Sequence, residues 1–168
     1  IDLYIGISLS AIMHSSRYLV NGMMVIFHNH KLPRGTWTGD RGESWYIPTE
    51  KSIKNILHTF KLGGILYREG IPDFSLCAKI TVSIENMSEI RRENFRQCDV
   101  TCAEEWSLKK YGGKSKWTPS DVQKWRKENG YTWHERNDMA TCDLVPIKIN
   151  RFFGHLGGVS ECKKCREV

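Results

Sequence analysis

Apolar residues recur along this chain in short runs broken by glycine, proline and clustered charge, and the spacing within the runs changes from one element to the next. Tyr18 to Val20 and Met23 to Phe27 are brief apolar runs among Gly and Ser, and read as strands or short helices. Pro33, Gly35, Gly39 and Gly42 then punctuate a loop, which predicts a boundary near residue 33. Ile53, Ile56, Leu57 and Phe60 fall at helical spacing and predict a short amphipathic helix ending at Gly63-Gly64. Ala78 to Ile84 alternates apolar and polar residues, as a strand does. From Ser88 to Trp106 the pattern becomes charged and helical, with Ile90, Phe95 and Trp106 as core contacts.

The sharpest helix signal starts at Thr118, a cap residue, with Pro119 in the first turn, Asp121 completing a capping-box-like pair and Gly130 at the end. Val122 and Trp125 then face the core, and Lys124, Arg126 and Lys127 point outward. Tyr131 to Glu135 is aromatic and β-branched, Arg136-Asn137-Asp138 is a turn, Met139 to Val145 is a second strand, and Pro146 opens a helix at Ile147. The pattern predicts an α+β fold in which a ββα metal finger at 129–158 is appended to a small mixed α/β domain. Residues 1–35 form an N-terminal linker or lead-in segment, and 36–168 the functional domain. A hairpin packed on one helix buries little apolar surface, so a bound cation is expected to stabilise the finger as well as to supply its reactivity.

Composition adds little, since 168 residues with 40% apolar and 26% charged side chains suit one core, or one core with a small appendage. Charge adds more. The 25 basic and 19 acidic residues leave a net +6. An equal excess falls between Trp106 and Lys127, where Lys109, Lys110, Lys114, Lys116, Lys124, Arg126 and Lys127 meet Asp121 alone. Such a face beside a metal finger suits phosphate contacts. The first apolar run, Ile1 to Met13, has no basic leader and is too short to span a membrane. A start at Ile1 without Met reads as a piece of a longer polypeptide. Among the six cysteines, Cys98-x3-Cys102 and Cys162-x2-Cys165 have a spacing that permits a structural zinc knot, although ordinary thiols are the commoner outcome. His28-x-His30 would present two imidazoles to one side of a strand.

Trp133-His134-Glu135, then Leu144-Val145-Pro146, then His155-Leu156-Gly157-Gly158 resembles the WHH-type members of the HNH/endonuclease VII nuclease superfamily. Gly42-Glu43-Ser44-Trp45-Tyr46-Ile47-Pro48 and Gly70-Ile71-Pro72-Asp73-Phe74 are similar to further stretches of such toxin domains, so the resemblance covers roughly 36–161. It implies a metal-dependent endonuclease acting on DNA, carried at the C-terminus of a larger secreted bacterial toxin. Such domains act in the cytoplasm of competing cells and are neutralised in the producer by a cognate immunity protein, expected here to be acidic. An RNase that cleaves transfer RNA is the alternative substrate reading. A non-catalytic, zinc-stapled nucleic-acid-binding module built on Cys98, Cys102, Cys162 and Cys165 is the alternative class.

In that superfamily the first strand offers two adjacent polar residues, one binding metal and one activating water, which here are His134 and Glu135. An imidazole titrating near neutrality suits the base, so His134 takes that role and Glu135 that of ligand or water positioner, with the reverse assignment open. Two successive strand residues reach one ion only across a bulge. The resemblance makes Asn150 and His155 the metal ligands on the helix side. Asn150 stands where relatives often have His, and its amide oxygen favours Mg²⁺ or Mn²⁺, with Zn²⁺ or Ni²⁺ as alternatives. Five residues exceed one helical turn, so the two converge only if the helix bends or ends by Gly154.

Overall fold

The computed structural model describes residues 17–20, 23–26, 34–154, Gly158 and Cys162. The chain divides into two compact units, Ile1–Lys31 and Leu32–Val168. In the first, β1 (Arg17–Val20) and β2 (Met23–Ile26) form an antiparallel hairpin with Arg17 opposite Ile26. The His28-x-His30 pair lies outside the described residues.

The second unit is α+β. Strands β3 (Gly35–Trp37), β4 (Trp45–Pro48), β5 (Ile65–Arg68) and β6 (Ile71–Pro72) form an antiparallel sheet in chain order. Between β4 and β5 runs α1 (Lys51–Thr59), whose Ile53 and Leu57, one turn apart, are the residues it buries. Gly64 leads into β5 so close to β4 that any Cβ there would overlap the carbonyl oxygen of Tyr46. A second sheet, in the order β7-β9-β8, joins β7 (Thr81–Ser83), β8 (Tyr131–Glu135) and β9 (Thr141–Pro146). Helices α2 (Arg91–Leu108) and α3 (Pro119–Glu128) precede the β8–β9 hairpin, and α4 (Ile147–Phe152) follows it directly.

The capping box of α3 is complete: the amide of Asp121 donates to Thr118 Oγ1 over 3.2 Å, and the Asp121 carboxylate accepts from the Thr118 amide over 2.8 Å. The Thr118 hydroxyl, and after it Lys114, hold that carboxyl well below the usual carboxylate range. Past the helix, Gly130 takes φ 70°, where glycine is favoured. Helix α2 starts at Arg91, later than the charge pattern suggested. Ile90, expected in the core, is 48% exposed. It precedes the first helical turn, and the buried position nearby goes to Asn94, which holds the Ser88 amide and carbonyl.

Two apolar cores lie on opposite faces of the second sheet. One joins Val145, Ile149, Phe152 and Phe153 to Phe74, Tyr46, Leu57 and Ile65. The other joins Trp133, Leu144 and Cys142 to Cys98, Cys102 and Trp106 of α2 and Val122 of α3. The hairpin and its following helix are therefore built into the body of the unit. The premise that this motif buries little apolar surface is corrected, because Leu144 and Val145 are fully buried, one on each face.

Candidate functional site

The ladder between β8 and β9 is regular, with Tyr131 opposite Pro146, Thr132 opposite Val145, Trp133 opposite Leu144, His134 opposite Asp143 and Glu135 opposite Cys142. No bulge interrupts it. Side chains therefore alternate strictly, and Trp133 with Glu135 faces α2, whereas His134 and Asp143 share the other face with Val145, on which α4 packs. His134 and Glu135 are not brought to one point.

His134 is buried, its ring meeting Phe74 edge-on with centroids 4.8 Å apart. Phe74 belongs to the Gly-x-Pro-Asp-Phe stretch, so the two segments that the sequence singled out separately meet here. They line a cleft of about 280 Å³ together with Arg68, Asp73, Ser75, Arg136, Asn137 and Asp143. The fully buried Asp143 carboxylate accepts from Arg136 through Nε and one terminal nitrogen, both at 2.7 Å, and from Thr81 Oγ1 at 2.6 Å. This pairing, more than the nearby negative charge of Asp73, pushes the Arg136 guanidinium further up, so the cleft holds a fixed, carboxylate-paired guanidinium beside His134. Asp73 Oδ1 is itself engaged by the Ser75 amide and hydroxyl, at 2.9 and 2.6 Å. Neither Asp143, Arg136 nor Asp73 had been singled out individually from the sequence. Their signal was the alternation that puts Asp143 on the His134 face and the Pro-Asp-Phe motif that carries Asp73.

On the opposite face Glu135 is buried against α2, accepting from Asn94 Nδ2 at 3.1 Å and pairing with Arg91 Nε at 3.2 Å. Burial pushes its carboxyl up, and the Asn94 and Arg91 contacts only partly offset this.

Helix α4 ends at Phe152, ahead of Gly154, which is the condition set for Asn150 and His155 to converge. His155 lies outside the described residues. Asn150 Oδ1, like Asn137 Oδ1 and the Tyr67 hydroxyl, is buried with no hydrogen-bond partner among the described residues. An orphaned amide oxygen is costly unless something unseen satisfies it, and a hard divalent cation would. Among the described residues, no three His, Cys, Asp or Glu side chains cluster as a metal site. Further along, Gly158 lies so close to the hairpin turn that any Cβ would overlap the carbonyl oxygen of Arg136. The second glycine of the Gly157-Gly158 pair is thus required by backbone contact with the residue two beyond His134.

The basic run divides. Arg126, expected to point outward, is turned inward and buried, forked onto Asp99 at 2.9 and 3.0 Å, with the same carboxylate accepting from Trp133 Nε1 at 2.9 Å. At i+4 from Val122 it follows the buried stripe of α3, and its charge is answered inside the fold. Lys109 pairs with Glu105, Lys114 with Asp121 while lying over the Trp117 ring, and Lys124 with Glu128. Lys110, Lys116 and Lys127 are exposed and have no ion pair among the described residues. A basic cluster absent from that expectation stands at the start of α2, where Arg91, Arg92 and Arg96 are exposed.

The four-cysteine zinc alternative extends to Cys165, which lies outside the described residues, and Cys98 and Cys102 are placed in the core. Cys98 and Cys102 are fully buried within the α2 core. The hydrogen bond to Cys142, followed by burial, holds the Cys98 thiol protonated, and burial pushes Cys102 up to about 12. Cys162 Sγ contacts the Met87 carbonyl at 3.5 Å, and Cys165 lies outside the described residues.

Residues 64–157, more than half of the chain, match the family described as the DNase/tRNase domain of colicin-like bacteriocin. The match runs from Gly64 through the cleft, the hairpin and α4. No curated protein and no solved structure matches the chain.

Proposed function

We propose that this chain, which belongs to the DNase/tRNase domain family of colicin-like bacteriocins, is a metal-dependent endonuclease of the HNH type that hydrolyses DNA. The observation that supports this best is His134 held in a cleft beside the Asp143-anchored Arg136 guanidinium, on the face of the sheet on which α4 packs, where the Asn150 amide oxygen has no partner among the described residues. In this reading His134 takes a proton from the attacking water as the water oxygen bonds to phosphorus. The bond to the leaving sugar oxygen breaks on the far side. Arg136, with one edge of its fork on Asp143, keeps further N–H groups for a non-bridging phosphate oxygen, and exposed Arg68 adds charge at the cleft.

Asn150 and His155 would hold the divalent ion, Mg²⁺ or Mn²⁺ given an amide oxygen in the set. The chemistry such an ion would supply there is relief of charge on the scissile phosphate and the leaving oxygen. Glu135, facing α2, then acts as an anchor of the His134 strand. As a toxin domain of a secreted bacteriocin, the chain acts in the cytoplasm of target cells, and its +6 charge suits an acidic immunity partner. Transfer RNA is the competing substrate, since the family's description covers both.

The test is cleavage of supercoiled plasmid and of transfer RNA, each with Mg²⁺ and with EDTA, by wild type and His134→Ala. Nicking of plasmid by wild type only, lost in EDTA and reduced roughly 10²- to 10⁴-fold in a folded His134→Ala protein, is expected. Cleavage of transfer RNA alone would move the substrate. Full activity of the variant would remove His134 from the chemistry.

A further inference from the structure

The first two turns of α2 carry Arg91, Arg92 and Arg96, and this face closes on α3 around a groove of about 730 Å³. Arg92, Arg96 and Asp99 follow one another at i, i+4 and i+7, so they stand on one stripe of the helix. The groove is rigid at its floor, because Asp99 grips Arg126 from across the helix pair and the guanidinium lies 5.2 Å over the Phe95 ring. Ser120 and Gln123 of α3 line the other wall with neutral polar groups.

The charge on this stripe is not answered within the fold. Asp99 is committed to Arg126 and Trp133. Arg92 and Arg96 have no ion pair among the described residues, and two like charges at i, i+4 disfavour a helix. They also sit in its opening turns, where the helix dipole opposes cations. Glu93 also lines the groove, but Arg91, Arg92, Arg96 and Arg126 outnumber it and Asp99, and a net positive charge in a concave groove concentrates polyanions. Arg91 links the groove to the strand that carries the site: its Nε is 3.2 Å from Glu135, the neighbour of His134 on β8, and β8 is an edge strand of its sheet.

We propose that the α2–α3 groove is the track for the sugar-phosphate backbone of the substrate, with Arg92 and Arg96 as phosphate contacts and Arg91 at the end nearest the His134 strand. It rests on the nuclease reading and identifies the surface that grips the nucleic acid, in place of the lysine face of residues 109–127. A strand held there lies along the α2 face of β8, the strand that carries His134 on its other face.

Binding of a short fluorescent duplex of mixed sequence is measured in EDTA between about 50 and 200 mM salt. The full chain is compared with Arg92→Gln/Arg96→Gln, with Arg92→Lys/Arg96→Lys and with Lys110→Gln/Lys116→Gln, and each preparation is also assayed for cleavage with Mg²⁺. The glutamine pair is expected to weaken binding and to flatten the slope of log affinity against log salt by about 0.9 for each lost contact, with the lysine pair retaining the slope. Unchanged affinity and slope in a glutamine variant whose wild-type parent cleaves nucleic acid would overturn the groove and leave the nuclease reading intact. So would a slope that falls only in Lys110→Gln/Lys116→Gln, or a glutamine variant that loses only an acidic protein partner. A wild type that cleaves neither DNA nor RNA would overturn the nuclease reading itself.

Discussion

Glu135 shows how one residue's surroundings set its role. Its folded carboxyl is raised because burial penalises the charged form more than Asn94 and Arg91 favour it. For a raised acid the fold prefers the protonated state. Its contribution to stability is therefore full below the ordinary value of 4.5 and is lost as pH climbs through the raised value. Glu135→Gln removes that dependence, so melting curves from acid to neutral pH should flatten in the variant, and metal affinity by calorimetry should stay close to wild type. A large loss of metal affinity would return Glu135 to the ligand set. Asn150→His, by contrast, replaces a hard oxygen with an imidazole and should shift preference from Mg²⁺ toward Zn²⁺ in competition titrations.

At the scale of elements, the link between α2, α3 and β8 runs through one buried carboxylate. Asp99→Ala would strand the buried Arg126 guanidinium and the Trp133 N–H together, a loss of about 3–5 kcal/mol in urea unfolding. Asp99→Leu/Arg126→Leu should recover much of it, because no uncompensated charge then remains. Recovery would show that the pair is internal structure; if it were a phosphate contact, Arg126→Leu would instead weaken nucleic-acid binding in a protein of full stability. The α3 cap is a smaller, local contribution: Thr118→Ala should cost about 1 kcal/mol by the same measurement.

For the whole molecule, the second sheet lies between two apolar cores, and the hairpin is held by both. Under the proposed metal-dependent mechanism, EDTA should therefore stop cleavage without unfolding the protein. A cooperative calorimetric transition in EDTA is expected, with added Mg²⁺ raising it only as far as ligand binding to the native state does. Non-cooperative melting in EDTA would instead make the ion part of the fold. The thiols of Cys98, Cys102 and Cys142 should resist alkylation in the native protein, since all three are fully buried.

Local rules carried far along this chain. The Thr118 cap, the Gly130 stop, the alternation through Tyr131 to Glu135 and the start of a helix after Pro146 depend on neighbours within a few residues, and each appears in the structure where the pattern put it. The same alternation already separated His134 from Glu135, subject only to a bulge that the regular ladder lacks. What the sequence could not carry is the partner of each charge. Arg126 reads as one more surface cation until Asp99, 27 residues away, is brought under it. Asp143 becomes the seat of Arg136 only when β7, β8 and β9 come together. Ion pairing and burial depend on contacts between distant segments, so the exposed lysine run lost part of its free charge while Arg92 and Arg96, unremarkable in sequence, were left facing an open groove.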